Sequence, residues 1–120
     1  MTEGVLMRRI MLAVSKVSVL FRNQSGAYSE NGRFIRYGLA NPGGADLIGW
    51  TSIEITPEMI GRRIAIFTAL EVKTSKGRAT KEQEAFVSAV VRAGGIAAIT
   101  RSEDEAAQTI ENFSTNRNEK

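Results

Sequence analysis

Helical and alternating apolar patterns in one chain predict an α/β domain, a mixed sheet of about five strands with helices packed on it. Three observations carry that expectation. Apolar positions recur at helical spacing in Leu6, Met7, Ile10, Met11 and Val14, and again in Phe86, Val87, Val90 and Val91. Short strand-like runs lie at residues 17–21, 33–37, 46–50, 64–70 and 96–100. At 120 residues and 42% hydrophobic, the chain suits one domain with one core, placed over 1–113, with 114–120 as a disordered tail.

The first helix is expected from Thr2, a good cap, to about Ser15. Glu3 lies three, four and seven positions before Leu6, Met7 and Ile10, so the spacing puts it on their inward face. A buried acid must be paired, bonded or metal-bound. A first-turn glutamate favoured by the helix dipole explains it equally well. Val17, Val19 and Phe21 then alternate as a strand. Asn23-Gln-Ser-Gly26 and Glu30-Asn-Gly32 supply turn residues. Residues 33–37 alternate again and read as the return strand of a hairpin. Arg22, Arg33 and Arg36 would meet phosphates there, or simply face solvent.

Asn41-Pro-Gly-Gly44 is a tight turn before the apolar run that opens at Asp46. Trp50 at its end is either a core residue or a stacking surface for a base. Thr56-Pro57 starts a short helical turn that Gly61 ends. Residues 64–70 read as a buried strand, closed by Glu71-Val72-Lys73. Strand alternation points Glu71 and Lys73 one way and Val72 into the core. Thr80 with Gln83 makes a capping-box pattern for the next helix, which Gly94-Gly95 ends. Gln83 precedes Phe86, Val87 and Val90 by three, four and seven, so it points inward. After the strand at 96–100, Ser102 with Glu105 opens a last helix to about Phe113. No internal repeat or second domain is visible.

Composition narrows the chemistry. The chain has no cysteine and no histidine. Disulfides, zinc fingers, thiol nucleophiles and imidazole bases are excluded. Catalysis would rest on carboxylates, lysine, hydroxyls or a hard metal such as Mg²⁺ or Mn²⁺. No apolar run is long enough for a membrane helix. Arg8 and Arg9 interrupt the N-terminal apolar stretch, so it does not read as a secretory signal. Net charge is +3, unevenly spread. Residues 62–81 carry Arg62, Arg63, Lys73, Lys76, Arg78 and Lys81 against Glu71 alone. A basic stripe beside carboxylates suits a polyanion, although an ordinary solvated surface fits too.

If the strands at 46 and 71 pair, Asp46 and Glu71 can share a divalent cation with Lys73 beside it. That arrangement suits phosphodiester hydrolysis. The tripeptide by itself reads better as an exposed edge-strand ion pair. Gly43-Gly-Ala-Asp46, Glu71-Val-Lys73 and Lys81-Glu-Gln83 together resemble the motifs of the virus-type replication-repair nuclease domain, VRR-NUC, of the PD-(D/E)XK superfamily. The resemblance spans nearly the whole chain. It takes in Glu3, Arg22-Asn23 and Arg33-Phe-Ile-Arg-Tyr-Gly38, and it is to the stand-alone phage and bacterial type. Ala45 is a small departure, because it stands where the superfamily's name has a proline that is often missing.

The resemblance implies a restriction-endonuclease-like sheet and a metal-dependent, structure-selective DNA endonuclease. Its stand-alone members resemble homodimeric resolvases of Holliday-type four-way junctions, which would place this chain in the cytoplasm of a bacterial or phage-infected cell. Mg²⁺ or Mn²⁺ would be held by Asp46, Glu71, the Val72 carbonyl and Glu3. Lys73 would orient the attacking water, and Gln83 would position that water or Lys73. Lys76, Arg78 and Lys81 would anchor the DNA backbone. Met11, Val14 and Leu20 are candidates for a dimer interface, though each also suits the core. A non-catalytic DNA-binding module of a phage replication or packaging complex, or a purely structural domain, stays open beside this reading.

Overall fold

Thr2 opens the first helix as its cap. Its hydroxyl accepts the Val5 N–H at 3.1 Å, one of the donors with no partner inside the helix. In the computed structural model, which describes residues 1–115, helix α1 runs Glu3–Ala13. There follow β1 (Ser18–Arg22), β2 (Gly26–Glu30), β3 (Arg33–Tyr37) and β4 (Leu47–Thr51). A 3-10 turn (Pro57–Met59) leads on to β5 (Thr68–Val72), α2 (Lys81–Arg92), β6 (Ile96–Thr100) and α3 (Glu103–Thr115). The chain is thus mixed α/β. It packs as two units, Met1–Glu54 and Ile55–Lys120.

In the first unit β1 pairs antiparallel with β4, from Ser18 opposite Thr51 to Arg22 opposite Leu47. The two hydroxyls of Ser18 and Thr51 meet at 2.6 Å across this ladder. Phe21 and half-buried Trp50 are diagonal neighbours on one face, with ring centres 5.7 Å apart. Strands β2 and β3 form a separate hairpin, with Glu30 opposite Arg33. Its two-residue turn, Asn31-Gly32, has φ of 53° and 77°. Positive φ at both positions is the primed turn whose twist matches paired strands. Asparagine and glycine are the residues that tolerate it.

In the second unit β5 and β6 run parallel, from Thr68 opposite Ile96 to Val72 opposite Thr100. Parallel neighbours need a crossover, and α2 supplies it. Gly94, with φ of 104°, turns the chain out of α2. The Gly95 N–H returns to the Val90 carbonyl and the Gly94 N–H to the Val91 carbonyl. This is the Schellman arrangement that satisfies the helix's last acceptors. Helices α2 and α3 both pack on β6. Val90 and Ile96 form the buried apolar centre, with Thr100 beside them. The Thr100 hydroxyl donates to the Ser102 carbonyl at 3.0 Å, so its burial leaves no unsatisfied group. At α3, Ser102 Oγ accepts the Glu105 N–H, while the Glu105 carboxylate takes the Arg101 N–H at 2.7 Å.

Several expectations are corrected. The hydrogen-bonded strands form three pairs rather than one ladder of about five. The hairpin expected at residues 33–37 is present, and its other strand is 26–30, a segment with no strand expectation, joined through the two-residue turn at Asn31-Gly32. The strand expected at 64–70 begins only at Thr68. Its partner β6 begins only after the glycine turn, so nothing before Phe67 has a rung; Phe67 itself accepts the Ile96 N–H at 2.9 Å. Val72 is 72% exposed rather than in the core. Helix α2 lies over the Glu71 face, so alternation sends Val72 the other way. Glu3 is exposed, and Leu6 and Ile10 on its helix are themselves only partly covered. Val91, expected inward, is 52% exposed, since the stripe facing β6 centres on Val90. The last helix continues through Thr115. Residues 116–120 of the expected disordered tail lie outside the described residues.

The contrast at neighbouring positions of α2 is testable. Val90→Ala should lower unfolding free energy by about 2 kcal/mol through reduced burial and a residual cavity. Val91→Ala, one position on, should stay within about 0.5 kcal/mol. Urea denaturation of both variants measures the difference.

Candidate active site around Glu71, Lys73 and Gln83

The capping box of α2 orients the site. The Thr80 hydroxyl accepts the Gln83 N–H at 3.0 Å, and Gln83 Oε1 accepts the Thr80 N–H at 2.9 Å. With Oε1 committed, the amide's NH₂ must face the other way. There it donates to Glu71 Oε2 at 2.8 Å. The expected inward direction and capping box of Gln83 are thus found, and its amide meets Glu71 rather than Lys73. Lys73 Nζ lies 3.4 Å from the same Glu71 oxygen. Strand alternation had put these two side chains on one face. The pair is partly exposed, 20% for Lys73 and 34% for Glu71. A pair so screened contributes no more than about 1 kcal/mol to stability.

Both contacts fall on Oε2. Glu71 Oε1 therefore meets no protein donor among the described residues, and it is a hard oxygen of the kind Mg²⁺ or Mn²⁺ prefers. The donor chemistry fits such an ion at Glu71, although among the described residues no three acidic side chains gather around one point. A cavity of about 390 Å³ opens beside the carboxylate, walled by Leu70, Phe86 and Val87 with Glu71, Glu82 and Gln83 at its edge.

Lys73 is held from behind. Its N–H donates to the Thr100 carbonyl at 3.0 Å, which carries the β5–β6 pairing one residue past the strand. The chain then turns, with the Gly77 N–H donating to the Thr74 carbonyl at 3.1 Å. Arg101 closes this turn. Its Nη1 donates to the Thr74 carbonyl at 2.6 Å and the Gly77 carbonyl at 2.7 Å. No sequence pattern marked Arg101, because the contact spans more than twenty residues and depends on the parallel pairing. The turn presents Lys76 and Arg78, both exposed, and Lys81 stands exposed at the first position of α2.

Asp46 sits in the first unit, exposed, immediately before β4. Its carbonyl accepts the Asn23 N–H at 2.8 Å. The Asn23 side chain donates to the Leu39 and Ala45 carbonyls and accepts the Leu39 N–H. Gly44 fits because a Cβ there would strike the Leu39 carbonyl. Asn23 thus gathers the turn that leads to Asp46, a role that reads in sequence only as generic turn chemistry. The pairing expected between the Asp46 and Glu71 strands is not among the ladders. β4 bonds to β1, and β5 to β6. Each strand satisfied one edge with a different neighbour.

The other candidates are spread over the first unit. Arg22 is exposed at the end of β1, opposite Leu47. Arg33 and Arg36 are three apart on β3 and so lie on opposite faces of the hairpin. Arg36 sits 5.3 Å from the Phe34 ring centre. Met11, Val14 and Leu20 are half-buried, whereas Leu12, 76% exposed, is the bare apolar residue of α1. No helix among the described residues is long and apolar enough to cross a membrane. Comparison with protein-family models, with curated proteins and with solved structures returns no match.

Removing the Arg101 clamp should act locally. Arg101→Ala should raise amide hydrogen exchange at the 74–78 turn at least about tenfold, while the exchange of β6 amides stays within about twofold. Hydrogen exchange followed by mass spectrometry reads both segments in one experiment.

Proposed function

We propose that this chain is a metal-dependent DNA endonuclease of the VRR-NUC type, acting on branched DNA such as a four-way junction. The observation that carries the reading is the joining of Glu71, Lys73 and Gln83 through one carboxylate oxygen, with the second oxygen left for a ligand. A structural ion pair would not need an amide to aim the acid. The motif resemblance adds Asp46 and Glu3 to the set. Both are exposed and so reachable by an ion.

A hard divalent cation at Glu71 would neutralise phosphate charge and lower the pKa of a bound water, with Asp46, the Val72 carbonyl and Glu3 the further ligands that the resemblance implies. Lys73 has three donors and spends one on Glu71, which leaves the others to orient water and hold charge on the phosphate. Gln83 keeps Glu71 aimed. Lys76, Arg78 and Lys81 bind backbone phosphates without reading sequence. The reading carries with it a cytoplasmic setting and a homodimer. Two copies place paired sites for the two cuts a junction requires. The bare apolar residues of the first unit, Leu12 and Leu39 among them, support a covering partner, as does the location in the second unit of every buried side chain among the described residues.

The alternative, a DNA-binding accessory module without chemistry, separates in one assay. Linear, flapped and four-way DNA are incubated with Mg²⁺, Mn²⁺ or EDTA. The nuclease cuts branched DNA with either metal and not with EDTA. Glu71→Gln and Asp46→Asn should each lower cleavage at least about a hundredfold while DNA binding persists. Binding by the unaltered protein with no cleavage in any metal would leave only the accessory module.

Binding should also report the basic turn. Neutralising Lys76, Arg78 and Lys81 together should weaken binding to every DNA alike. The log–log salt dependence should flatten by about 0.9 for each phosphate that the altered turn no longer neutralises. Titration at several salt concentrations gives the slope, and light scattering gives the number of copies.

A further inference from the structure

The hairpin of β2 and β3 carries a feature that phosphate binding does not use. Phe34 is 65% exposed in the middle of a strand. Its cross-strand partner is Ser29, and the next rung on that face pairs Arg36 with Ala27. The face is therefore a floor of small residues from which one ring rises with the Arg36 guanidinium over it, 5.3 Å from the ring centre. The opposite face differs. There Tyr28 and Tyr37 pack at 6.4 Å, Ile35 is half-buried, and the Tyr37 ring fills the space above Gly26. That face is occupied by its own side chains.

The floor is also rigid. The primed turn closes one end. At the other end Asn41 Nδ2 donates to the Gly26 and Tyr37 carbonyls at 2.7 and 2.6 Å, clamping both strands at their root. An exposed aromatic held on a five-rung ladder loses little freedom when something stacks on it. The segment of chain it belongs to is basic. Residues 1–40 carry Arg8, Arg9, Lys16, Arg22, Arg33 and Arg36 against Glu3 and Glu30.

We propose that the Phe34–Arg36 face of this hairpin is a nucleobase-stacking site, which takes an unpaired base of branched or single-stranded DNA. This rests on the DNA reading above. Every base has a π-face, so an aromatic ring binds unpaired bases without regard to sequence, and a neighbouring arginine adds cation–π attraction and charge for the adjoining phosphate. Paired bases within a duplex have no face to offer. The site thus gives a preference for DNA with unstacked positions.

The test uses the full chain and two DNAs of equal length: a duplex, and the same duplex with one unpaired 2-aminopurine. Stacking on Phe34 should change the 2-aminopurine fluorescence on binding. Phe34→Leu keeps an apolar strand residue but removes the ring, and should weaken binding to the unpaired DNA about tenfold. It should leave duplex binding within about twofold, and Phe34→Tyr should restore the unpaired-DNA affinity. Equal binding by Phe34→Leu and the unaltered protein, or an equal reduction on both DNAs, would overturn the site and leave the nuclease reading standing. A change in copy number with Phe34→Leu and no change in DNA preference would make this face a contact between copies instead. Failure of the unaltered protein to bind either DNA would remove both proposals. The fluorescence of the unaltered complex is an independent reading should the leucine variant fold poorly.

Discussion

One amide group organises the second unit. Gln83 accepts from the Thr80 backbone and donates to Glu71, and the two bonds use the two ends of the same planar group. The start of α2 is thereby tied to the end of β5. Turning the amide over would set like poles against each other at both ends, so the capping box and the carboxylate contact hold each other in one sense. Glu71 then has one oxygen committed and one available, and Lys73 shares the committed one. The Lys73 N–H bond to Thr100 and the Arg101 clamp on the following turn extend the constraint to the basic residues beyond.

The two units are held by different means. The second has Val90 and Ile96 at its centre and two helices packed on one strand. The first depends on backbone ladders and on two asparagines that bond carbonyls from distant turns. Short units with few buried side chains expose much of their apolar surface and are marginal alone. Polar clamps offset this by fixing loops that hydrophobic contacts do not reach. The same device fixes the turn leading to Asp46, through Asn23, and the root of the hairpin, through Asn41.

Mixed α/β architecture by itself carries no function, since unrelated chemistries share such folds. The functional reading rests instead on residue chemistry: a carboxylate aimed by an amide, a lysine beside it, a basic turn directly after it, and no thiol or imidazole in the chain. Each piece has a structural explanation of its own. Their convergence on one strand end suits a polyanionic substrate, and the aromatic–arginine face of the hairpin suits the parts of such a substrate that are not charged.

Local signals determined most of the elements. Thr2, Thr80 and Ser102 mark helix starts because a cap is a bond between near neighbours. Gly94-Gly95 ends α2 for the same reason. Alternation put Glu71 and Lys73 on one face, and helical spacing turned Gln83 toward them. What sequence could not decide was which face of each strand a helix would cover, and which strand would take which edge. Val72 was expected inside and lies outside, because the apolar run before it has no direction until α2 packs. The partner of residues 33–37 was not legible because β2 (Gly26–Glu30), with its polar Ser29 and Glu30, carries little apolar pattern. Arg101 had no signal at all. Strand pairing and long-range clamps join residues far apart in the chain, and their free energies depend on the packed neighbourhood rather than on any local run of residues.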